Sequence, residues 1–398
     1  MSTQIKAVVI EDILKQDEFL TNPKLTQAEI TTALDDVIRK IDINMEYFKE
    51  KFPWSATRDL LYPIIENVDW TEGFWTGQLW LAYEYTGDAK YKDLAMLNVR
   101  SFRDRLDRNI ELEHHDLGFL YSLSCVAAYK ITGDEFAKET AVLAADKLMT
   151  RWQEKGEFIQ AWGEYNNPEH YRFIIDCLLN IPLLYWASEV TGDMKYDTMA
   201  RKHFATSVKY VVRSDASAYH TFYMNPVDGS PVRGATRQGY SDDSSWARGQ
   251  AWAIYGIPLN IRYTHDTQAT DLYIGMTNYF LNRLPKDNVP FWDLIFTDGD
   301  DQSRDSSAAA IAACGMMEMN NYLSDDALKS IYDGAVHTMM RSLINNYTEA
   351  RHNPGNPIIY HGVYSWHSGK GVDQGNIWGD YFYLEALMRL HTEWNPYW

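Results

Sequence analysis

The chain contains a repeating unit, and this repeat limits the folds open to it more than any other feature. Each strong copy has a polar or aromatic start, an apolar helix of about four turns, a Thr-Gly-Asp break and a second, amphipathic helix. The strong copies begin at Trp70, His114 and Phe173, and weaker copies begin at Ser244, Asp305 and Gly375.

The repeat predicts a closed ring of helix pairs. A repeat unit buries its apolar face only against its neighbours, and an open array requires polar units at its two ends. The last copy stays aromatic as far as Trp398, which favours closure. We therefore predict an all-α fold, an (α/α)6 barrel forming a single catalytic domain over residues 1–398, with residues 1–25 as an N-terminal extension. The starts of the inner helices should then gather at one end of the ring.

Local signals define two further elements. Thr26 and Glu29 fit a capping box, which predicts a helix start. The apolar stripe that follows comprises Ile30, Leu34, Val37, Ile41 and Met45. The segment 219–226 predicts a short β-hairpin in a loop.

Composition excludes several classes of function. A formal net charge of −18 disfavours nucleic acid and anionic lipid as partners. The first residues lack the features of a secretory signal, and no apolar run is long enough to span a membrane. Cys125, Cys177 and Cys314 lie far apart in apolar runs, as reduced thiols do. We expect a cytoplasmic protein without a metal centre or cofactor, and the sequence leaves its oligomeric state open.

Polar and aromatic residues cluster around the predicted starts of the inner helices. They are Trp70, Phe74, His115, Asp116, Trp162, Asp176, His220, Gln238, Arg248 and Trp252. Carboxylates and tryptophans together favour carbohydrate chemistry, because the C–H faces of sugars pack on indole rings and their hydroxyls bind carboxylates. Each tryptophan could equally be a core residue. Arg248 could pair with the aspartates or bind a substrate carboxylate.

Asp176 is the most unusual of these residues. It stands among aliphatic side chains in Phe173–Leu179, where burial raises the pKa of a carboxyl group. A carboxylic acid that stays protonated near neutral pH can act as a general acid. For Asp116 and Asp176 alike, the alternative interpretation is a helix N-cap. Asp176 could also pair with a basic neighbour.

Three segments resemble the unsaturated glucuronyl hydrolases of glycoside hydrolase family 88. They are "HHDLGFLY" with Asp116, "FIIDCLLNIPLLYWAS" with Asp176 and "YSDDSSWARGQAWAIYG" with Arg248, and the resemblance covers roughly residues 65–398. It implies an (α/α)6 barrel and hydrolysis that begins with hydration of a C4=C5 double bond. It further implies that Asp176 is the acid/base and that Asp116 binds ring hydroxyls. The other residues at the helix starts would bind or line the unsaturated ring.

The resemblance extends to the segment "YSWHSGKG". Ser365, Ser368 and Lys370 form a Ser-x-x-Ser-x-Lys pattern that resembles a sulfate-binding loop of some family members, and Tyr364 precedes it. Two hydroxyls and an ammonium suit a compact anion, although a glycine-rich surface loop would read the same way.

The combined prediction is a hydrolase that removes unsaturated glucuronic acid from lyase-generated chondroitin or hyaluronan disaccharides. Arg248 and Lys370, with Arg233 or Arg237, would supply a local basic field for this anionic substrate. Three alternatives remain open. They are an unsaturated rhamnogalacturonyl hydrolase, a conventional inverting glycosidase and a non-catalytic oligosaccharide-binding protein.

Overall fold

A computed structural model describes residues 5–348 and 355–398 of the chain, and these residues are mostly helical. In chain order the helices are α1 (Gln16–Thr21), α2 (Gln27–Phe48), α3 (Glu72–Thr86), α4 (Ala89–Asp107), α5 (Leu117–Tyr121), α6 (Ala127–Thr132), α7 (Glu135–Met149), α8 (Cys177–Asn180), α9 (Pro182–Thr191), α10 (Met194–Val211), α11 (Ala247–Thr264), α12 (Thr270–Asn282), α13 (Ser306–Met319), α14 (Asp326–Asn346) and α15 (Ile377–His391). A π-helical turn, Ser122–Val126, joins α5 to α6.

The Thr-Gly-Asp sequences are the turns between inner and outer helices. In the first copy Gly87 ends α3 in the left-handed conformation at φ 71°, and the side chain of Asp88 caps α4 by accepting the N–H of Lys90. Gly133 with Asp134, and Gly192 with Asp193, repeat the arrangement. Glycine suits this position because a left-handed residue with a Cβ is strained. The local chemistry thus reverses the chain at each repeat.

The inner helical segments close into a ring, as predicted. Within the described residues, α3, α5, α8, α11, α13 and α15 pack in this order, and α15 returns to α3. The outer helices α4, α7, α10, α12 and α14 each pack on the inner segment that precedes them. The sixth outer helix is α2, which comes from the N-terminal side and packs on α15 and α3. A helix from the N-terminal part of the chain, α2, and the last helix, α15, therefore meet at the seam of the barrel.

The predicted capping box is confirmed at the start of α2. Thr26 accepts the backbone N–H of Glu29, and the carboxylate of Glu29 accepts the backbone N–H of Thr26. Most of the predicted stripe, from Ile30 to Ile41, is buried. The predicted extension, residues 1–25, lies outside the described residues over its first four positions; its remaining residues hold α1, and Phe19 of this helix is buried where α1 packs on α14.

Two inner helices are interrupted just after the site-forming residues. The π-helical turn breaks the second, and the third breaks between Asn180 and Pro182, because proline supplies no N–H to continue the hydrogen bonding. Both breaks lie within about two turns of an aspartate at the N-terminal end of the helix.

Small antiparallel sheets lie at the end of the ring where the inner helices begin. The strands are β1 (Phe52–Pro53), β2 (Ile64–Ile65), β3 (Trp152–Gln153), β4 (Phe158–Ile159), β5 (Arg172–Ile174), β6 (Thr221–Met224), β7 (Pro231–Ala235), β8 (Gly362–Ser365) and β9 (Lys370–Gln374). The predicted hairpin is β6–β7, to which β5 adds a third strand. The β8–β9 hairpin carries the Ser-x-x-Ser-x-Lys pattern.

The opposite end of the ring is filled by the last residues of the chain. The ring of Trp398 stacks on Phe382 at 5.7 Å and 3°, and its indole N–H donates to Glu385. Lys130 donates to the carbonyls of Pro396 and Trp398. The barrel is therefore open at the end where the inner helices start and packed at the other.

Candidate active site

Asp116 and Asp176 stand at equivalent positions of neighbouring repeats. Asp116 is the N-cap residue of α5 and Asp176 that of α8, and only Ile175 separates Asp176 from strand β5. Both aspartates thus occupy the N-cap position, as the alternative interpretation expected, but neither carboxylate makes a capping hydrogen bond within the described chain. The backbone N–H of Ile175 donates to the carbonyl of His220, which fixes Asp176 beside the β5–β6 pair.

His115 lies between the two carboxylates. Its Nε2 is 3.3 Å from Oδ1 of Asp176 and 3.4 Å from Oδ1 of Asp116. The side chain of Asn180 donates to Asp116 at 3.5 Å and to the carbonyl of Asp176 at 3.2 Å, and it accepts the N–H of Phe119 at 2.9 Å. Asn180 thereby joins the starts of two inner helices and holds the carboxyl groups in fixed relative positions.

The two carboxyl groups differ in acidity. Burial, followed by the negative charge of Asp116, raises the pKa of Asp176 well above its usual value, against an opposing effect of Arg248. Burial also acts to raise the pKa of Asp116, but His115, His114 and Asn180 together lower it. The side chain of Asp176 is 15% exposed and that of Asp116 is 12% exposed, so both carboxyl groups can reach a ligand. The site can therefore hold one protonated and one ionised carboxyl group.

Two histidines of the site, His115 and His220, are neutral near pH 7. Burial lowers the pKa of His115 to about 4 and that of His220 to about 3. Nδ1 of His220 accepts the backbone N–H of Arg237 at 2.9 Å, so the proton of the neutral ring is on Nε2. That Nε2 is buried without a hydrogen-bond partner in the described residues. His220 therefore offers an N–H donor that the protein itself leaves unused.

A cavity of about 640 Å³ lies over this cluster and brings together nearly all of the predicted residues. They are Trp70, His115, Asp116, Trp162, Asp176, His220, Gln238, Arg248, Trp252, Tyr364, Ser365, Ser368 and Lys370. Arg237 also lines the cavity, whereas Arg233 lies near Glu169 instead. A cavity of this size accommodates a small oligosaccharide.

Phe74 is the predicted site residue that the structure places elsewhere. Its side chain is fully buried and packs against Trp70, Phe119 and Tyr381. Phe74 lies in the first turn of α3, four residues after Trp70. The direction of its Cβ there points the side chain into the core. Phe74 therefore supports Trp70 from behind and does not line the cavity.

Arg248 pairs with a carboxylate that is not one of the two aspartates. Its Nη1 donates to Asp305 at 2.5 Å and to the carbonyl of Val363 at 2.6 Å. Its Nη2 donates to Gln238 at 2.7 Å and to the carbonyl of Tyr364 at 2.8 Å. The guanidinium is almost completely buried. Arg248 thus ties α11, α13 and the β8–β9 hairpin together at the edge of the cavity.

The tryptophans of the cavity are held in place by other side chains. The indole N–H of Trp70 donates to Tyr364 at 2.8 Å, and its ring stacks on Trp378 at 5.3 Å. The guanidinium groups of Arg172 and Arg237 lie 3.8 and 4.8 Å from the ring centre of Trp162. These contacts fix the orientation of two flat apolar surfaces before any ligand arrives.

The Ser-x-x-Ser-x-Lys pattern forms the tip of the β8–β9 hairpin at the cavity mouth. Ser365 and Lys370 are paired across the strands. Between them, Trp366 stacks on Trp292 at 5.0 Å and His367 contacts the carbonyl of Gly239 at 2.7 Å. The turn is therefore anchored on the barrel, while Ser365, Ser368 and Lys370 face the cavity.

Several residues of the site were missed by the sequence analysis. Asp69, His114, Trp246 and His367 line the cavity, and Asn180 links the aspartates. Asn180 could have been found, because it follows Asp176 by four residues, which places both on one helix face. The pairing of Asp305 with Arg248 depends on contacts distant in sequence and leaves no local signal.

One group of side chains has the spacing of a metal site. One ligand atom each from His115, Asp116 and Asp176 lies within 4.8 Å of the others, and this is the one such group among the described residues. A metal would require the deprotonated form of Asp176. The raised pKa of Asp176 opposes that form, so the donor set fits proton transfer better than metal binding.

The sequence matches Glycosyl Hydrolase Family 88 over residues 41–386. It is 58% identical to the unsaturated chondroitin disaccharide hydrolase of Streptococcus pneumoniae over 99% of this chain and 100% of that protein. The fold superposes on the crystal structure of unsaturated glucuronyl hydrolase from Streptococcus agalactiae with a TM-score of 0.97, at 56% identity over 99% of this chain and 100% of that chain.

A second solved structure contains a ligand. It is a mutant of unsaturated glucuronyl hydrolase from Streptococcus agalactiae complexed with dGlcA-GalNAc6S. Its TM-score is 0.90, at 52% identity over 99% of this chain and 100% of that chain. The family match, the extent of these similarities and the shared fold lead to one conclusion: the chain belongs to glycosyl hydrolase family 88.

Proposed function

We propose that this glycoside hydrolase removes 4,5-unsaturated glucuronic acid from the non-reducing end of glycosaminoglycan disaccharides. The observation that carries the proposal is a carboxyl group of raised pKa, Asp176, next to an ionised one, Asp116, at the base of a tryptophan-lined cavity. The relatives named for unsaturated chondroitin disaccharides and the complex with dGlcA-GalNAc6S support this substrate class.

The chemistry starts with a proton transfer from Asp176. The carboxyl proton adds to C4 of the double bond, and the positive charge that develops at C5 is shared with the ring oxygen. A water molecule then adds to C5 and gives its proton to the Asp176 carboxylate. The resulting hemiketal opens, C1 becomes a hemiacetal, and the glycosidic oxygen leaves as the alcohol of the second sugar. Asp176 thus ends the cycle protonated, as it began.

The neighbouring groups position the unsaturated ring. Asp116, kept ionised, accepts hydrogen bonds from ring hydroxyls and keeps the pKa of Asp176 high. His220, whose Nε2–H has no protein acceptor in the described residues, and Gln238 line the same cavity and supply donors for the ring. Arg248 already donates four hydrogen bonds to protein groups, so its charge acts on the substrate carboxylate without a new bidentate pair.

The mouth of the cavity carries the groups that favour a sulfated second sugar. Ser365, Ser368 and Lys370 converge there, and the ammonium of Lys370 lies 4.1 Å from the ring centre of Tyr364. Two hydroxyls and one cation suit a sulfate ester. This arrangement favours chondroitin-type substrates over an unsaturated rhamnogalacturonan, which has no sulfate.

Ultraviolet absorbance tests the proposed function, because the conjugated enoate absorbs and the hydrated product does not. We expect the absorbance of unsaturated chondroitin and hyaluronan disaccharides to fall with enzyme. We expect little change with an unsaturated rhamnogalacturonan disaccharide and no release of sugar from the saturated chondroitin disaccharide. An unchanged signal with every unsaturated disaccharide, despite binding by calorimetry, would instead indicate a non-catalytic binding protein.

The pH profile should show the coupling between the two aspartates. Since Asp176 must be protonated to react, kcat/KM should fall as pH rises through its raised pKa. Asp116→Asn removes the negative charge that helps to raise this pKa. The alkaline limb of its residual activity should therefore move to lower pH, as measured by kcat/KM in overlapping buffers. An alkaline limb that stays in place or moves to higher pH would contradict the assignment.

We also propose that the reaction takes place in the cytoplasm, on one catalytic domain formed by the whole ring. The free thiols of Cys125, Cys177 and Cys314 are all buried, which suits a reducing compartment. In the described residues no helix has the length and apolar character needed to cross a membrane. Cell fractionation with an antibody against the protein tests the location.

A further inference from the structure

A second groove adjoins the active-site cavity on the outer side of the β8–β9 hairpin. Its volume is about 610 Å³, and its walls include Trp54, Thr57, Arg58, Asp59 and Gln374. It shares Ser368 and Lys370 with the active-site cavity, so the two are continuous around the hairpin tip. We refer to it as the Trp54 groove.

Two cations meet at one indole in this groove. The guanidinium of Arg58 lies 4.8 Å and the ammonium of Lys370 4.4 Å from the ring centre of Trp54. Neither has a carboxylate within ion-pair distance among residues 5–348 and 355–398. Burial and the nearby Arg58 both lower the pKa of Lys370, against an opposing effect of Asp69. Asp59 is the acidic residue of the groove walls, so the groove keeps a net positive charge.

The walls of the Trp54 groove are tied together. Thr57 donates from its hydroxyl to Gln374 at 2.9 Å and from its N–H to the carbonyl of Gly375 at 2.9 Å. Arg58 and Leu61 exchange backbone hydrogen bonds of 2.9 and 3.0 Å. Gly371 approaches Ala56 so closely that a Cβ added there would come within 2.6 Å of the alanine Cβ. Residues 54–61 and the β8–β9 hairpin thus form a surface that exists before a ligand binds, which reduces the entropic cost of binding.

From this geometry we propose that the Trp54 groove binds an anionic group on the third sugar of unsaturated tetrasaccharides. The proposal rests on the proposed function, which puts the unsaturated ring at Asp176 and the second sugar near Ser368 and Lys370. The Trp54 groove continues from the cavity at Ser368 and Lys370, so a longer chain can extend into it past the hairpin tip. In glycosaminoglycans the third sugar is a uronic acid, so its carboxylate or a sulfate ester on it would meet Arg58.

The test compares Arg58→Gln with wild type on disaccharide and tetrasaccharide. We expect kcat/KM for the tetrasaccharide to fall about tenfold, the loss expected for one hydrogen bond to a charged group, while the disaccharide value stays unchanged. Asp59→Asn removes the opposing charge and should raise kcat/KM for the tetrasaccharide alone. Arg108→Gln, which removes an exposed arginine directly after α4, should leave kcat/KM unchanged for both substrates.

Two tetrasaccharides separate the sources of the anion. A loss with both the unsulfated hyaluronan type and the sulfated chondroitin type indicates the carboxylate, and a loss with the sulfated one alone indicates sulfate. An equal loss on disaccharide and tetrasaccharide, no loss at all, or a wild-type enzyme inactive on tetrasaccharides would each overturn the proposal.

A binding measurement keeps this test independent of turnover. In the Asp176→Asn background, calorimetry should show about tenfold weaker tetrasaccharide binding when Arg58→Gln is added. The affinity for the disaccharide should not change. Failure of disaccharide hydrolysis would contradict the proposed function, whereas equal affinities for the tetrasaccharide would contradict the Trp54 groove.

Discussion

Asp176→Asn is expected to lower kcat by about 10³-fold while the substrate still binds, because the amide has no proton of suitable acidity to give to C4. The side chain keeps its size and its place beside His115, 3.3 Å from the imidazole Nε2 in the native protein. KM should therefore change little. Steady-state kinetics by ultraviolet absorbance gives kcat, and calorimetry gives the affinity.

A matched substitution separates the loss of chemistry from a loss of fold. Asp104→Asn changes an exposed aspartate on α4 that pairs with Arg108, and it should keep full activity. Thermal unfolding of Asp176→Asn should be no less cooperative than that of the native protein. A variant that folds normally and retains more than about a tenth of native kcat would rule out Asp176 as the general acid.

Arg248→Met is expected to lower the free energy of unfolding by about 3–5 kcal/mol. The change removes the guanidinium from a pair that is almost wholly buried, so the carboxylate of Asp305 loses its partner inside the protein. The carbonyls of Val363 and Tyr364 also lose their donors, which should loosen the β8–β9 hairpin. Urea unfolding, with activity measured in parallel, reports both effects.

The double variant Arg248→Met with Asp305→Asn distinguishes the cost of the unpaired charge from other losses. Once the carboxylate is replaced by an amide, a large part of the stability should return. Arg108→Met, which breaks an exposed pair, should change stability by no more than about 1 kcal/mol. Equal unfolding free energies for native protein and Arg248→Met would mean that the arginine serves the substrate alone.

The sequence predicted those parts of the fold and site that local chemistry determines. The Thr-Gly-Asp turns require a left-handed residue followed by a capping residue. Because this requirement recurs along the sequence, the ring of helix pairs could be predicted. Asp116 and Asp176 could be found because they stand at the starts of two apolar inner helices in neighbouring repeats, and because Asp176 has apolar side chains on both sides in the sequence. Their roles in catalysis stay predictions until the variants are measured.

The parts that escaped prediction depend on contacts between distant segments. That α2 would serve as the sixth outer helix followed from ring closure and not from its own sequence. From the sequence, Asp305 is only another residue at a helix start. The structure shows that its carboxylate accepts a hydrogen bond from Arg248. Phe74 has the aromatic character of a sugar-binding residue, but its direction on α3 is set by the core around Tyr381 and Phe119.

The seam between α2 and α15 has a consequence for how the protein is made. On the ribosome, α2 emerges long before α15, at elongation rates that separate the two by tens of seconds. During that interval the apolar stripe of α2, from Ile30 to Ile41, lacks the larger of its two packing partners. The nascent chain therefore exposes part of the apolar face of α2 until α15 has been synthesised. The ring can close only after the C-terminal residues have left the ribosome. Chaperones that bind exposed apolar surfaces should therefore assist the synthesis of this protein.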